Sequence, residues 1–509
     1  MRQLTIVYFL LMFFLFRPFQ LERPGLLYPG DDYSYFAYST AVVFGEYPNF
    51  DKEAVDEFRV PPLSRLGPAV LSLPFTLLGS IVDRVSDNPI VSSRTPENIR
   101  SSWTLFGAIF ASGVAAWLAM FVMYRTLQYF VSARASQWSV IAALLLPGSI
   151  LYAYRRPVFS HVYELLIQTA LVFIFVQVQT KSRWQKKDPG RKTLFFSIAL
   201  CSLALMVRQN GVLFALLWPL LIFCVSRWKL DLTRKTIFRA LIVISCSLGI
   251  FYLFKYLPEF FYRERYVRAN AVFETNDFLW ALRDPWFYIK RSWSVIFGID
   301  WGLLYTAPHL LLGAASIPLM KPEMRRWFYL LVVPVLVNFY LCVVWEGQGS
   351  WYGYRYFVFS AAPILCVSLA LFWQRVGFSA KTIHYSLVFA GIAPLFSILL
   401  FDATPGTILT GVTTEFGEKN VGNLKYQWEV WKVVLTEPAY LAQSILKGGP
   451  AYLVYLGAEA LGATAKLPRK FLELYPVFSQ RILVQTFLLY VTPWLLYLAL
   501  CTGKRPQVR

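Results

Sequence analysis

Charge is what this chain has least of. Asp, Glu, Lys and Arg make up 15% of its 509 residues, whereas a soluble protein of this size carries roughly 25%. Histidine is rarer still, with three in the whole sequence. The six cysteines are Cys201, Cys224, Cys246, Cys342, Cys366 and Cys501, all in or at the end of apolar runs and none at metal-ligand spacing. They read as small core hydrophobes and imply no disulfide framework. A Walker loop, a GxGxxG fingerprint, an HExxH zinc site and a GxSxG elbow are also missing, so soluble nucleotide chemistry lacks support. No low-complexity tract and no internal repeat is visible, which removes the signature of an inverted-repeat transporter.

What is present is apolar. Hydrophobic residues reach 57% and aromatic residues 18%, as suits a protein with many lipid-facing and interfacial Trp and Tyr side chains. The net charge of +20 does not point to nucleic acid. The basic residues sit in short loops between apolar runs and form no continuous face. Residues 4–16 could be the core of a signal peptide, but no small-residue cleavage site comes after them, so an uncleaved first span is expected.

A helix needs about 20 apolar residues to cross a bilayer. The apolar runs predict spans near 3–21, 102–124, 137–154, 160–180, 193–207, 211–226, 237–257, 302–320, 327–345, 355–374, 382–402 and 482–501. Loop charge tests this order. With the N-terminus inside, the loops 125–136, 181–192, 227–236, 321–326 and 375–381 and the tail after 501 are all cytoplasmic, and all are basic. The segment KSRWQKKDPGRK alone carries six basic residues and one acid. The run 66–82 is apolar but interrupted by prolines. Were it a further span, every later loop would change sides and the charge rule would fail, so it is expected to stay outside as a re-entrant or interfacial piece. The expected fold is therefore an all-α polytopic integral membrane protein of about twelve transmembrane helices with helical outer loops. Residues 1–402 form its transmembrane module, with outer loops 22–101 and 258–301. Residues 403–481 form an outer segment with amphipathic helices near 438–446 and 450–465, and 482–509 hold the last span and a cytoplasmic tail.

Polar groups at membrane depth are costly unless satisfied or set in a wet cavity. Five places on the outer side break the pattern. Asp31-Asp32 comes after the first span, just before a Tyr-rich stretch containing Tyr35. It can be a helix cap or a base or cation site. Arg155-Arg156 occupies a short outer loop, and His161 and Glu164 come next at a spacing that shares a helix face. An Arg–Glu164 ion pair is one reading. An anion site is the other, because Arg grips phosphate oxygens with two bonds. Arg208-Gln209-Asn210 is a polar break between two apolar runs. A tight turn explains Asn210-Gly211 but not Arg208. Asp300 and His309 lie at and inside the eighth span, where a lone His can simply be a satisfied core residue. Residues 345–363 pack Glu346, Trp351, Tyr354 and Arg355 among glycines. Aromatic faces there can stack on sugar C–H surfaces, although an interfacial belt would also account for the Trp and Tyr.

In their order, GDDYSYFAYS, PPLSRLGPAVLSLPF, RRPVFSHVYELL, LALMVRQNG, GLLYTAPHLL and GSWYGYRYFVFSAAP resemble segments of the C-fold glycosyltransferase superfamily. The resemblance looks closest to its bacterial mannosyltransferase-like, protein-mannosyltransferase-related branch. It runs over most of residues 1–375 and leaves 403–481 unmatched. It implies an enzyme of the cell envelope that moves a sugar from a polyprenyl-phosphate carrier to a glycan, lipid or protein acceptor. The reaction would take place on the outer face of the cytoplasmic membrane, with inversion at the anomeric carbon. Asp31 or Asp32 would be the catalytic base. Arg155, Arg156, Arg208 and Arg355 would hold the donor phosphate. Tyr35, His161, Glu164, Asp300, Glu346, Trp351 and Tyr354 would line the substrate. Some members use a divalent cation and others do not, so no cofactor is implied; the bilayer is a partner and nucleic acid is not. The rival readings are a transporter or flippase for lipid-linked sugars, a ligase or polymerase working on lipid diphosphates, and a non-catalytic scaffold. The first should place charges near mid-membrane in both halves, and here they gather at one face.

Overall fold

The computed structural model describes residues 1–16, 31–47, 66–95, 98–99, 101–154, 157–181, 190–208, 211–270, 284–298, 302–344, 355–376, 432, 435–436, 448–469, 471 and 480–501, with the backbone alone at 15, 31–34, 151, 181, 257–270, 305, 341–342 and 355–356. In chain order the helices are α1 (Arg2–Leu15), α2 (Asp31–Val43), α3 (Gly67–Val85), α4 (Trp103–Leu127), α5 (Ala133–Val140), α6 (Ile150–Tyr154), α7 (Ser160–Lys181), α8 (Arg191–Val207) and α9 (Gly211–Cys224). A two-stranded hairpin, β1 (Val225–Ser226) and β2 (Lys229–Leu230), leads to α10 (Arg234–Asn270). Then come α11 (Pro285–Phe297), α12 (Leu303–Thr306), α13 (Pro308–Ser316), α14 (Pro322–Val344), α15 (Arg355–Val376), α16 (Gly449–Ala460) and α17 (Gln480–Cys501).

Among the described residues six helices are long and apolar enough to cross a membrane, and Arg2–Phe14, Gly211–Cys224 and Pro308–Leu319 are shorter apolar helices. The chain is thus a multi-pass membrane protein. Most predicted spans appear as helices at their expected places. The expected span 382–402 and the amphipathic stretch 438–446 lie outside the described residues.

Three elements differ from expectation. The run 137–154 is not one regular helix: α5 widens into a π-helical stretch, Ile141–Ser149, and breaks at Pro147-Gly148, where Gly148 takes φ +107 before α6. Proline removes a helix donor and glycine tolerates the left-handed backbone. The run 302–320 is likewise divided into α12 and α13 at Ala307-Pro308. Conversely, 66–82 is not broken by its prolines. Pro68 falls in the first turn of α3, where no N–H is needed, and the helix continues through Pro74 to Val85.

By length and composition α3 also qualifies as a span. At its start, a Cβ added to Gly67 would lie 2.6 Å from the Val207 backbone nitrogen, at the C-terminal end of α8. At its other end, the buried Asp83 carboxylate caps the N-terminal end of α4. It accepts from Trp103 N at 2.9 Å, Thr104 N at 2.7 Å and the Thr104 hydroxyl at 2.6 Å. Between these ends Gly79 lies against the Trp103 carbonyl and Gly107 against the Phe75 carbonyl, with no room for a Cβ at either. The two backbones therefore touch along the first half of α4.

The core gathers α4, α7 and α15 around α5, α6 and the π-helical stretch between them, and α9 joins it through α7. The α1 helix docks on it through a buried pair of tyrosines: the Tyr8 hydroxyl donates to the Gly113 carbonyl at 2.8 Å and meets the Tyr154 hydroxyl at 2.8 Å.

A polar seam on α7 then fixes α9. Residues 161, 164, 168 and 179 fall within about 60° of one another on an α-helix. Near the middle of α7, Trp218 Nε1 of α9 donates to Gln168 Oε1 at 3.1 Å. At its C-terminal end both halves of the Gln179 amide are used. Nε2 donates to the Val225 carbonyl at 2.8 Å, and Oε1 accepts from Trp228 N at 2.9 Å. The hairpin turn is also held from α14, where Trp327 Nε1 donates to the Trp228 carbonyl at 2.9 Å and Arg326 donates to the same oxygen.

Candidate functional site

At its N-terminal end the seam changes from neutral to charged. The α8 helix stops at Val207, and Arg208 turns to extended backbone. Its side chain folds back into the protein and is only 7% exposed. From one terminal nitrogen, Nη1, it donates to Glu164 Oε2 at 2.9 Å and faces His161 Nδ1 at 2.7 Å. His161 and Glu164 are themselves 1% and 4% exposed. The guanidinium does not surrender its proton, so Nδ1 has to be the acceptor. His161 is thereby held neutral with its proton on Nε2, a tautomer inferred from the partner. Its ring is boxed by aromatics: stacked on Phe359 at 5.5 Å, tilted toward Phe159 at 5.5 Å and edge-on to Tyr152 at 5.1 Å.

The Arg–Glu164 ion pair, one of the two readings of Glu164 in the sequence, thus forms with Arg208. Its sign balance is neutral: one cation, one anion and an uncharged imidazole. Beside it lies a small cleft lined by Glu164, Ile167, Gln168, Ala204, Val207, Arg208 and Gly211. Ile167, Ala204 and Val207 make part of its wall apolar, while the charged pair and the Gln168 amide supply its polar side.

The backbone carries two further predicted positions toward this corner. Arg355 opens α15 one turn before Phe359, whose ring stacks on His161. Asp31 and Asp32 open α2, a place where acids are favoured by the helix dipole. The α2 and α3 helices run in the same direction, since Ser39 lies opposite Ser72, their hydroxyls 3.2 Å apart, and Val43 lies toward Arg84. The Asp31 end of α2 therefore points toward the Gly67 end of α3, and Gly67 rests on Val207, the residue before Arg208.

Of the other predicted residues, Tyr35 is buried in α2, and its carbonyl accepts from the Ser39 hydroxyl at 3.4 Å. His309 is buried in α13, edge-on to Trp373 at 6.4 Å. Arg155, Arg156, Asp300, Glu346, Trp351 and Tyr354 lie outside the described residues. Among the described residues no group of three His, Cys, Asp or Glu is placed to hold a metal ion.

Sequence reasoning missed the aromatic box and Gln168. Gln168 had a signal, because it lies seven residues after His161 on the same helix face. Phe359 had none, being brought to His161 only by the packing of α15.

No family model and no curated protein matches the chain. Solved structures similar to it include ArnT from Cupriavidus metallidurans in the apo state, with 14% identity and a TM-score of 0.46 over 96% of this chain and 76% of that one. They also include the oligosaccharyltransferase of Archaeoglobus fulgidus in the apo form, at 13% identity and a TM-score of 0.39 over 93% of this chain and 60% of that one. The archaeal oligosaccharyltransferase AglB in complex with an inhibitory peptide and a dolichol-phosphate gives 13% and 0.40, over 94% and 59%. The chain thus spans less than two thirds of the archaeal protein's length.

Proposed function

We propose that the protein is a glycosyltransferase that moves a sugar from a polyprenyl-phosphate donor to an acceptor hydroxyl at the outer face of the cytoplasmic membrane. The observation that carries this reading is the buried Arg208–Glu164–His161 cluster, with the acid-bearing start of α2 directed to the same corner. A buried guanidinium is expensive to keep, and a site that must receive an anion gives a reason to keep it.

In this reading the carboxylate of Asp31 or Asp32 takes the proton of the acceptor as the acceptor atom bonds to the anomeric carbon. The bond from that carbon to the phosphate oxygen breaks, and its electron pair leaves with the polyprenyl phosphate, which gains one negative charge. Arg208, with Arg155, Arg156 and Arg355, stabilises that charge where it develops. A single displacement inverts the anomeric centre. His161, as a neutral Nε2–H donor, and Glu164 orient the sugar. Tyr35, Asp300, Glu346, Trp351 and Tyr354 complete its surroundings. The donor's phosphate lies at the outer surface and its tail between helices. Both termini are cytoplasmic, residues 1–402 form the catalytic module, and 403–481 cap its outer side.

The test is transfer activity of Asp31→Asn and Asp32→Asn at normal membrane levels. Loss of a general base lowers the rate by about 100-fold or more, so one of the two should show that loss. Wild-type transfer by both would remove the acids from catalysis.

A further inference from the structure

The helix that carries Asp31 and Asp32 is held hard at its opposite end. The α2 helix closes at Phe44-Gly45, with Gly45 at φ +76. Glu46 N and Tyr47 N then turn back to the Ala41 carbonyl at 2.7 and 2.9 Å. Two arginines, one at the end of α3 and one beyond it, grip this end. Arg84 donates to the Val43 carbonyl at 3.0 Å, a cation on the negative end of the α2 dipole. Arg94 pairs with Glu46, and its side chain is only 1% exposed. The Phe44 ring receives both guanidiniums, Arg94 at 4.7 Å and Arg84 at 5.5 Å. Cations set over a ring in this way are attracted to its face.

Nothing about the sugar or the phosphate explains this cluster, which lies at the far end of α2 from the acids. A buried Arg94 is costly unless paired. Burial pushes its guanidinium down to about 10, so it remains a cation at neutral pH and Glu46 faces a full charge. Asp83, next to Arg84, caps α4. Two adjacent residues of opposite charge therefore bind the ends of two helices, each at the pole that suits it. The α2 helix is in this way fastened to the α3–α4 frame, and that frame rests on Val207 beside Arg208.

We infer that Arg94 and Glu46 are positioning residues: their buried pair fixes α2 from its C-terminal end, so that the acids at its first turn are presented at a fixed place beside Arg208. The inference rests on the proposed role of Asp31 and Asp32, but its first readout does not. Hydrogen exchange of residues 31–47 in the purified full-length protein should accelerate at least tenfold in Arg94→Met, while protection within Trp103–Leu127 is unchanged. In the same variant kcat for transfer should fall 10- to 100-fold with the donor KM unchanged, and Arg94→Lys should recover part of that loss. Should Arg94→Met fail to accumulate, Glu46→Gln, which keeps the shape and removes the charge, should accelerate the same exchange. Unchanged exchange in 31–47 in whichever variant folds overturns the clamp. Faster exchange together with wild-type transfer overturns the positioning role. Active Asp31→Asn and Asp32→Asn variants would instead sink the catalytic reading and leave the clamp standing.

Discussion

The two ends of α7 do the same mechanical task with opposite chemistry. At the C-terminal end Gln179 joins the α9–α10 hairpin through a neutral amide whose donor and acceptor are both satisfied. At the N-terminal end Glu164 joins the residue that follows α8 through a buried ion pair. A neutral, fully bonded amide is the cheaper fastening: its loss costs only the groups left unpaired. A buried ion pair is often no more stabilising than apolar packing, and it punishes the loss of either partner. Stability alone would favour the amide at both ends. Charge at one end only is what a site requires and a plain fastening does not.

The largest break in this comparison should come from Arg208→Met, which strands Glu164 in the interior. Destabilisation of about 3–5 kcal/mol is expected, read as a lowered unfolding temperature in detergent. Pairing it with Glu164→Gln should restore much of that stability while leaving transfer poor and the donor requirement raised. Equal stability of the single and double variants would mean that the ion pair is not the fastening. Gln179→Ala, at the other end, should cost about 1–3 kcal/mol, because the Val225 carbonyl and the Trp228 N–H lose their partner. Transfer per folded molecule should be unaffected, and a specific loss of turnover would show the two ends to be less different than their chemistry implies. The smallest effect is expected in the hairpin turn, where Arg227 and Trp228 both hold left-handed backbone, at φ +51 and +63. A two-residue turn of this kind prefers Asn or Gly. Arg227→Asn should therefore stabilise by less than about 1 kcal/mol, seen as a small rise in unfolding temperature with activity unchanged.

Much of the architecture was legible because membranes impose simple rules. Apolar length located most of the helices. The irregularities were harder. Proline was a break at Pro147 but not at Pro74, and the difference lies in the neighbouring residue and in the helix packed alongside. Pro147 precedes a glycine at φ +107, whereas α3 is held along α4 by direct backbone contact at Gly79 and Gly107. The site was half legible. Glu164 and His161 announced a shared face three residues apart, and Arg208 stood out as a cation where none was expected. That these three meet was not readable, because Glu164 and Arg208 lie 44 positions apart, across two helices whose packing local spacing does not encode. The clamp on α2 was hidden for the same reason: Glu46 and Arg94 are ordinary loop charges until the chain brings them together.

The same separation has a consequence in time. During synthesis Glu164 is made before Arg208. At about 5–20 residues per second the separation of 44 positions takes roughly 2 to 9 s. Until then the pair cannot form. Completing it joins α7 to the residue that ends α8, so this fastening is made late, after both helices have been synthesised.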